Sequence, residues 1–314
     1  MNTRTHVAVG VIFHPDKNKV LITRRSANQH LAGLWEFPGG KVEKNESVVS
    51  ALHRELHEEL GITVKSTKKL TRVSYDYPDK KVLLDVFKVY EWDGNPISRE
   101  NQKIVWSNLK QLNNYAFPEA NKHIIQTLSL GSIYVISPPS CNDTNRFISV
   151  LDECFSTGVK IFQLRLYQKY EPEFSQIVSK IIRLAEKYDA KIILNGLASD
   201  VSEYNVNGIH LNSRELFKHR TRPISEEYIL GASCHNEKEL IHAEQINVNY
   251  AFISPVCKTA SHPEKVAIGW DNFCEMSKKV NFPVYALGGM KPSELELARK
   301  YNAYGVAMIG AIWD

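Results

Sequence analysis

The stretch GGKVEKNESVVSALHRELHEELGI, residues 39–62, combines a helix pattern with a close grouping of acidic side chains. From residue 48 onward, apolar residues recur at steps of three and four, which predicts a helix with one buried stripe. Glu55, Glu58 and Glu59 stand at positions i, i+3 and i+4, so their carboxylates share one face of that helix. Like charges placed this way repel each other, and a solvated, charged surface helix is one reading of the pattern.

A divalent cation is the other reading of this acidic face. Mg²⁺ favours carboxylate oxygens together with substrate phosphates, so it would offset the repulsion. Arg54 and Glu46 are placed to orient such ligands by hydrogen bonds. Gly39 and Gly40 allow the backbone to turn tightly and to approach a metal or a phosphate closely. The stretch therefore predicts a metal site beside a phosphate site.

The complete spacing resembles the Nudix box. Gly40 is followed by five residues, Glu46 by seven, and the run REL-x-EE-x-GI then fills residues 54–62. The resemblance implies that a nucleoside diphosphate linked to a further group is hydrolysed by attack of water on a phosphorus. It also implies Mg²⁺ as the cofactor, with Mn²⁺ as the alternative, to polarise the phosphoryl oxygens and help to generate the nucleophile.

Other segments of roughly the first 130 residues resemble the MutT subgroup of this family, which removes 8-oxo-dGTP. They are VGVIFHPDKNKVLITRR (residues 9–25), LWEFPGGK (34–41), YDYPDKKVLLDVF (75–87) and FPEANKHII (117–125). The first segment reads as a β-hairpin, with two apolar runs around the turn-forming residues 15–18. The resemblance implies a nucleoside triphosphate substrate and an α/β/α sandwich with a mixed sheet.

The same resemblance implies roles for individual residues. The metal and catalytic positions are matched by Gly39, Glu55, Glu58, Glu59 and Glu100. The positions near the sugar and phosphates are matched by Arg25 and His30, and those of the base pocket by Phe37, Asp79, Lys80 and Asn121. Lys80 stands where the subgroup usually has arginine. An Asn amide both donates and accepts hydrogen bonds, which suits Asn121 to the edge of a purine.

Length and composition predict a two-domain cytoplasmic protein. The chain has 314 residues, enough for two domains, and a formal net charge of +4, which does not by itself indicate direct nucleic-acid binding. No apolar run reaches the roughly 18 residues of a membrane span, and the N-terminus lacks the apolar region of a signal peptide. The five cysteines are widely spaced in the second half, which favours free thiols in a reducing compartment.

The second half reads as strands alternating with amphipathic helices. We place the boundary between domains 1–130 and 131–314, where a helix pattern ends at Gly131 and a β-rich run begins. The strand candidates are residues 134–137, 160–164, 191–194, 208–211, 229–232, 250–253, 284–287 and 305–309. Such alternation implies right-handed crossovers and a parallel sheet. Eight units in about 180 residues predict a (β/α)₈ TIM-type barrel, and an open doubly wound sheet is the alternative.

Glycines follow the last two predicted strands. Gly288 and Gly289 precede a predicted helix near Pro292, and Gly310 follows the final strand. Exposed amides and a helix N-terminus at this end of a barrel can hold a phosphate. A tight turn would use the same glycines.

The second half resembles the thiamine-phosphate synthase/TenI superfamily over nearly all of residues 133–314. The segments that match are FQLRL, LNG, GIHLNS, GASCHN, FISPVCKTASHP, YALGGM and GVAMIGAI. The resemblance implies a phosphorylated thiazole or pyrimidine ligand and assigns Arg165 and Asn195 to its site. Tyr167 replaces a family lysine and Gly196 a metal-binding aspartate, so we expect thiamine phosphate synthesis to be absent.

The TenI branch, which includes a thiazole tautomerase, has a histidine where this chain has His235. A neutral imidazole at that place could move a proton between two positions near physiological pH. A polar loop histidine is the alternative reading. A barrel that acts only as a non-catalytic binding or scaffolding module also remains open.

The predicted barrel lacks a full last helix, because only five residues follow its eighth strand. Apolar surface between the last and first strands should then need a cover. We predict that the helix pattern of residues 119–128, or a second copy of the protein in a homodimer, supplies it. For the whole chain we predict hydrolysis of 8-oxo-dGTP, with a thiamine-pathway diphosphate as the alternative substrate.

Overall fold

The computed structural model describes residues 4–16, 18–26, 31–166, 174–259 and 266–313. Contacts within the chain divide it into two units, Met1–Ser129 and Leu130–Asp314, which we call the first and the second unit. Among the described residues, no helix has both the length and the apolar character needed to cross a bilayer.

The first unit contains one mixed and one antiparallel sheet. Its strands are β1 (Thr5–Ile12), β2 (Lys19–Arg24), β3 (Trp35–Glu36), β4 (Gly39–Lys41), β5 (Thr63–Asp76), β6 (Lys81–Asp93) and β7 (Lys103–Asn108). The four-stranded sheet has the order β4-β1-β6-β5, in which β1 and β6 are parallel and the other pairs antiparallel. The three-stranded sheet has the order β3-β2-β7 and is antiparallel. The predicted α/β class with a mixed sheet is confirmed.

The hairpin predicted for residues 9–25 is wrong beyond its turn. Phe13 and Val20 form one antiparallel bridge, and the His14 N–H donates to the Lys19 carbonyl at 2.9 Å. Beyond this point the two strands separate, because β1 pairs with β4 and β6 whereas β2 pairs with β3 and β7. A local turn signal identifies a reversal of the chain but does not determine which sheet each strand enters.

Two α-helices pack on the first unit's strands. Helix α1 (Val48–Leu60) starts after Ser47, whose side chain accepts the Ser50 N–H at 3.1 Å, and ends at Gly61, which has φ +70°. Of its predicted apolar stripe, Leu52, Leu56 and Leu60 are buried with strand residues of the core, whereas Val49 is exposed. A short 3₁₀ helix (Leu109–Asn114) precedes α2 (Glu119–Ser129).

The second unit is a closed barrel of eight parallel strands. They are β8 (Ile133–Ile136), β9 (Ile161–Leu164), β10 (Lys191–Asn195), β11 (Gly208–Leu211), β12 (Ile229–Cys234), β13 (Tyr250–Ile253), β14 (Val284–Leu287) and β15 (Gly305–Met308). Each strand pairs with the next, and β15 pairs with β8 to close the barrel. The predicted (β/α)₈ barrel is confirmed, and the open doubly wound sheet is excluded.

Helices follow the strands of the barrel, as the alternating pattern predicts. They are α3 (Thr144–Ser156), α4 (Phe174–Tyr188), α5 (Asp200–Tyr204), α6 (Ser213–Leu216), α7 (Glu237–Gln245), α8 (Gly269–Ser277), α9 (Leu295–Lys300) and α10 (Gly310–Trp313). Helix α10 is a single turn. The Trp313 indole N–H donates to the Ile136 carbonyl at 2.7 Å, and its ring stacks on Phe147 at 4.7 Å. This turn therefore connects the last barrel strand to the first.

Candidate functional site

A pocket of about 570 Å³ lies in the first unit, between the end of α1 that carries the carboxylates and the start of α2. Of the predicted site residues, those that line it are Arg25, Phe37, Gly39, Glu55, Glu59, Lys80, Glu100 and Asn121. Glu36 and Tyr77 also line it, although no sequence pattern marks them as site residues. The fold therefore brings residues from six separate segments of the chain to one place.

The glycines of β4 leave the space that the Glu55 carboxylate occupies. A Cβ on Gly40 would lie 2.0 Å from Glu55 Cδ, so only glycine leaves room for this side chain. Gly39 has φ +144°, and a Cβ there would lie 2.1 Å from the Ala8 carbonyl oxygen on the neighbouring strand. The Gly39 N–H donates to Glu59 Oε2 at 3.2 Å. The strand thus brings its backbone directly against two carboxylates of α1.

Arg54 orients the acidic side chains through one guanidinium group. Its Nε and Nη2 donate to the two oxygens of Glu46 at 3.0 and 2.9 Å, which makes a bidentate pair. Nη1 donates to Glu55 Oε1 at 2.8 Å and to Glu58 Oε2 at 3.2 Å, and Nη2 also reaches the Lys41 carbonyl at 3.0 Å. These hydrogen bonds raise the pKa of Arg54 above its ordinary value, so it stays charged. The predicted orienting role of Arg54 and Glu46 agrees with this geometry.

Negative charge is in excess at the centre of the pocket. Burial is the main cause that raises the pKa of Glu59 to about 8, and the negative charges of Glu36, Glu100 and Glu55 contribute to the rise against the Gly39 hydrogen bond. Burial likewise raises the pKa of Glu36 to about 7, although the Arg25 guanidinium contacts its carboxylate. Arg25 Nε is buried and makes no hydrogen bond within the described chain. A cation or a cationic cluster at this point would stabilise the ionised carboxylates.

The other end of the pocket is aromatic and holds a side-chain amide. Phe37 is buried and stacks on Phe117, with ring centroids 5.6 Å apart and planes 27° apart. The Phe37 N–H donates to Asn121 Oδ1 at 3.4 Å, and Asn121 is itself buried in the first turn of α2. The Tyr77 hydroxyl accepts the Ala120 N–H at 3.1 Å. A planar ring that enters this end meets both an apolar face and an amide.

Three predicted residues are not among the groups that the pocket brings together. The Glu58 side chain is 55% exposed and bonds to Arg54 outside the pocket lining. Asp79 is exposed on the turn between β5 and β6. His30 lies outside the described residues. Because Glu58 acts on the pocket through Arg54, its geometry here is that of an orienting group.

A divalent metal ion fits the donor chemistry of this pocket. In the described parts of the chain, no three His, Cys, Asp or Glu side chains already converge as a metal site. Arg54 donates hydrogen bonds to the Glu55 and Glu58 carboxylates. Mg²⁺ usually needs only one or two protein carboxylates, with water and substrate phosphates completing its coordination. Burial first, and then the negative charges of Glu36, Glu100 and Glu55, raise the pKa of Glu59, and a cation held beside it would favour its ionised form.

In the second unit, the predicted residues lie along the rim formed by the carboxyl ends of the barrel strands. In chain order they are Arg165 after β9, Asn195 at the end of β10, His235 after β12, Gly288 and Gly289 after β14, and Gly310 after β15. Because all eight strands are parallel, these positions face one end of the barrel, where ligand sites of this fold occur. Tyr167 lies outside the described residues.

Hydrogen bonds fix several groups at this rim. The Arg165 N–H donates to Ser137 Oγ at 2.7 Å, and Gln163 Nε2 donates to Asn195 Oδ1 at 3.2 Å. Gln163 Oε1 is buried and unpaired within the described residues. His235 Nδ1 lies 2.7 Å from the Ser254 carbonyl oxygen, so Nδ1 carries a proton. The Glu239 carboxylate accepts the His235 N–H at 2.5 Å and holds the loop.

The barrel interior holds a polar chain that sequence reading missed. The hydroxyls of Tyr134 and Tyr250 are 2.6 Å apart, and Tyr250 lies 3.1 Å from His210 Nδ1. His210 Nε2 lies 2.8 Å from Ser233 Oγ, which is partly exposed at the rim. Burial, together with the positive charge of Arg165, lowers the pKa of His210 to about 3. The imidazole is therefore neutral at physiological pH.

Comparisons with known proteins match the two units separately. The NUDIX domain model matches residues 8–127, and the thiamine monophosphate synthase model matches residues 133–312. The 8-oxo-dGTP diphosphatase of Escherichia coli (strain K12) is 39% identical over 125 residues, which cover 40% of this chain and 96% of that protein. The 8-oxo-dGTP diphosphatase of Buchnera aphidicola (subsp. Acyrthosiphon pisum) is 41% identical over 119 residues, which cover 38% of this chain and 94% of that protein.

The second unit has relatives of its own. The putative thiamine-phosphate synthase 2 of Aquifex aeolicus is 30% identical over 182 residues, which cover 58% of this chain and 97% of that protein. These relatives give no support to the expected absence of thiamine phosphate synthesis, which rested on single replacements at Tyr167 and Gly196. The chain therefore belongs to two families: its first unit is a Nudix domain of the 8-oxo-dGTP diphosphatase group, and its second unit is a member of the thiamine monophosphate synthase family.

Proposed function

We propose that the first unit is a Mg²⁺-dependent nucleoside triphosphate pyrophosphohydrolase that converts 8-oxo-dGTP and water to 8-oxo-dGMP and diphosphate. One observation carries the proposal: a single pocket joins carboxylates and close-approaching glycines at one end to Phe37 and Asn121 at the other. The first end suits a metal-bound phosphate chain, and the second suits a purine. The activity named for the 39%-identical relative supports the same reaction.

The residues at the acidic end of the pocket would have different roles in binding the metal ion and the phosphates. Carboxylates from among Glu55, Glu59 and Glu100, which line the same pocket, would hold the metal ion, which polarises the phosphoryl oxygens and lowers the pKa of bound water when present. Arg54 keeps Glu55 oriented, and the backbone of Gly39 and Gly40 leaves space for the phosphates. Arg25 faces the same pocket with a buried, unpaired Nε, which suits it to a phosphate or sugar oxygen.

At the opposite end, Phe37 would contact the face of the base and Asn121 its edge. The Asn121 carbonyl oxygen already accepts a backbone N–H, so its NH₂ group is the part available for an acceptor on the base. A site that recognises its substrate by buried hydrogen bonds discriminates strongly, because a wrong substrate leaves polar groups unpaired.

A substrate panel tests the proposal. The purified chain is assayed for release of diphosphate from 8-oxo-dGTP, dGTP, dATP and thiamine diphosphate, with Mg²⁺, with Mn²⁺ and with a chelator. We expect 8-oxo-dGTP to have the highest kcat/KM and the activity to disappear with the chelator. Asn121→Ala should remove most of the preference over dGTP. A preference for thiamine diphosphate would replace our substrate with the alternative.

For the second unit, the bond from His235 Nδ1 to the Ser254 carbonyl favours proton transfer as a second candidate function. It leaves Nε2 as the nitrogen with a lone pair, which is the form that accepts a proton from a bound ligand. A phosphorylated thiazole is the ligand class we propose. Exchange of ligand protons with deuterated solvent, lost in His235→Asn, would support this candidate. Formation of thiamine phosphate from its two precursors would support synthase activity instead.

A further inference from the structure

Tyr77 connects two parts of the first unit that together form the aromatic end of the pocket. It begins the turn between β5 and β6, and its backbone N–H donates to the Lys80 carbonyl at 2.8 Å. Its side chain lines the same pocket as Phe37. Its hydroxyl oxygen accepts the N–H of Ala120, 43 residues further along the chain, at 3.1 Å. The β5–β6 turn is thereby tied to the first turn of α2.

This hydrogen bond provides an acceptor for a backbone N–H in the first turn of α2. The first N–H groups of an α-helix have no partner within the helix and need an outside acceptor. Ala120 is buried, so water is a poor substitute for the phenol oxygen. Burial also raises the pKa of Tyr77, so the phenol stays neutral at physiological pH. The acceptor of the Ala120 N–H is therefore a neutral hydroxyl group.

The residue after Ala120 is Asn121, the amide of the pocket. Its Oδ1 accepts the Phe37 N–H at 3.4 Å, a long bond that by itself holds the side chain loosely. The backbone of Asn121 is placed by the first turn of α2, where its N–H donates to the Pro118 carbonyl at 2.9 Å. A shift of this turn would move the amide away from the base edge.

We propose that Tyr77 is a positioning residue for base discrimination: by holding the Ala120 N–H, its hydroxyl fixes the Asn121 amide opposite the base. This inference rests on the proposed function, since it concerns the nucleotide end of the same pocket. Tyr77 does not act on the phosphates, which lie at the acidic end. Its loss should therefore change which base is preferred and leave the chemical step intact.

The test removes a single oxygen atom. Tyr77→Phe is compared with Tyr75→Phe, a matched control two residues earlier on β5 whose ring contacts both Tyr77 (4.7 Å) and His123 of α2 (6.2 Å) but lies outside the pocket lining. Dissociation constants for 8-oxo-dGMP and dGMP are measured by calorimetry, and kcat and KM for the two triphosphates by diphosphate release. Hydrogen exchange reports on the Ala120 amide.

We expect Tyr77→Phe to lower the 8-oxo-dGMP to dGMP binding preference by about five- to tenfold, the worth of one hydrogen bond. The kcat/KM preference should fall in parallel, kcat for dGTP should stay within about twofold, and Ala120 should exchange faster. Tyr75→Phe should leave the preference unchanged.

Two results would overturn the inference. In the first, Ala120 exchanges faster while the preference stays the same, so the hydroxyl merely anchors the helix. In the second, the wild-type chain binds both monophosphates equally. If the wild type prefers 8-oxo-dGMP but hydrolyses neither triphosphate, the proposed hydrolysis fails, and the binding preference of Tyr77→Phe still decides the inference.

Discussion

The carboxylate of Glu55 occupies the space in which a side chain at Gly40 would begin, because a Cβ there would lie 2.0 Å from Glu55 Cδ. The two residues come from different elements, strand β4 and helix α1, and their contact sets the distance between backbone and carboxylate. A phosphate or a metal ion bound beside Glu55 is thus also close to backbone N–H groups. The geometry explains why the motif requires glycine at this position.

We predict that Gly40→Ala displaces Glu55 and lowers kcat by about 10²-fold, the cost of misplacing a catalytic group by about 1 Å. Steady-state kinetics and circular dichroism measure the loss and the retention of the fold. The matched control is Gly131→Ala, whose Cβ would meet its nearest neighbour, Lys160 Cβ, at an ordinary 3.4 Å. Full activity of Gly40→Ala would show that the carboxylate position is unimportant.

Replacement of the carboxylates tests the acidic end directly. We expect Glu55→Gln and Glu59→Gln each to lower kcat by about 10²-fold or more, since each replaces a carboxylate that would hold the metal ion. Glu58→Gln should cost less, because this side chain is exposed and acts through Arg54. Glu91→Gln, an exposed residue on β6, is the control. Near-normal turnover by both pocket variants would exclude the assignment.

Arg54→Lys keeps the positive charge but loses the planar fork. Lysine cannot make the bidentate pair with Glu46 and at the same time bond Glu55 and the Lys41 carbonyl. We expect kcat to fall at least about tenfold with KM little changed, as when an interaction made in the transition state is lost. Arg183→Lys, at an exposed position of α4, serves as control. An unchanged kcat would mean that charge alone suffices.

Stability of the second unit should depend on pH through His210. Burial lowers its pKa in the folded barrel to about 3 from the ordinary 6.5, so below pH 6.5 the unfolded chain binds a proton that the folded one does not. Stability is then lost as the pH falls from 6.5 towards 3, by up to about 1.4 kcal/mol per pH unit. Denaturant-dependent hydrogen exchange of barrel peptides measures the slope.

The variant His210→Gln removes this titration while keeping a hydrogen-bonding side chain. It should therefore be less stable than the wild type at pH 7 but show a flatter pH dependence between 6.5 and 3. An identical slope in the two proteins would assign the acid sensitivity to other groups.

The barrel was the part of the fold that could be predicted best from the sequence. Parallel strands are buried on both faces, so they appear as short continuous apolar runs, and all eight candidates correspond to β8–β15. Helix α1 was equally clear, since its stripe and its Ser47 and Gly61 ends are local signals. The separation of β1 and β2 into different sheets could not be predicted from the sequence. It depends on the pairing of β1 with β6 and of β2 with β7, and these partners are more than 70 positions away in the chain.

Some site residues could likewise be predicted from local sequence spacing, whereas others are brought to the site only by the tertiary fold. Those of α1 have a spacing that a sequence displays, whereas Glu36 is a solitary acidic residue whose partner Arg25 is brought to it by the pairing of β2 with β3. Tyr77 likewise gained a role only from the contact with Ala120. In the barrel, Tyr134, Tyr250 and His210 lie in predicted strands, and periodicity does not reveal the hydrogen bonds among their hydroxyls and ring.

The chain of hydroxyls and imidazole inside the barrel has a consequence for whatever binds at its rim. Each member, from Tyr134 through Tyr250 and His210 to Ser233, is neutral and can either give or receive a proton in its hydrogen bonds. With a proton on His210 Nε2, the ring donates to Ser233 and accepts from Tyr250; with the proton on Nδ1, it donates to Tyr250 and accepts from Ser233. The two arrangements differ in the tautomer of His210 and in the rotation of the hydroxyls, and both are neutral. Ser233 lies at the partly exposed end of this chain. It can therefore offer a ligand a hydrogen-bond donor in one arrangement and a hydrogen-bond acceptor in the other.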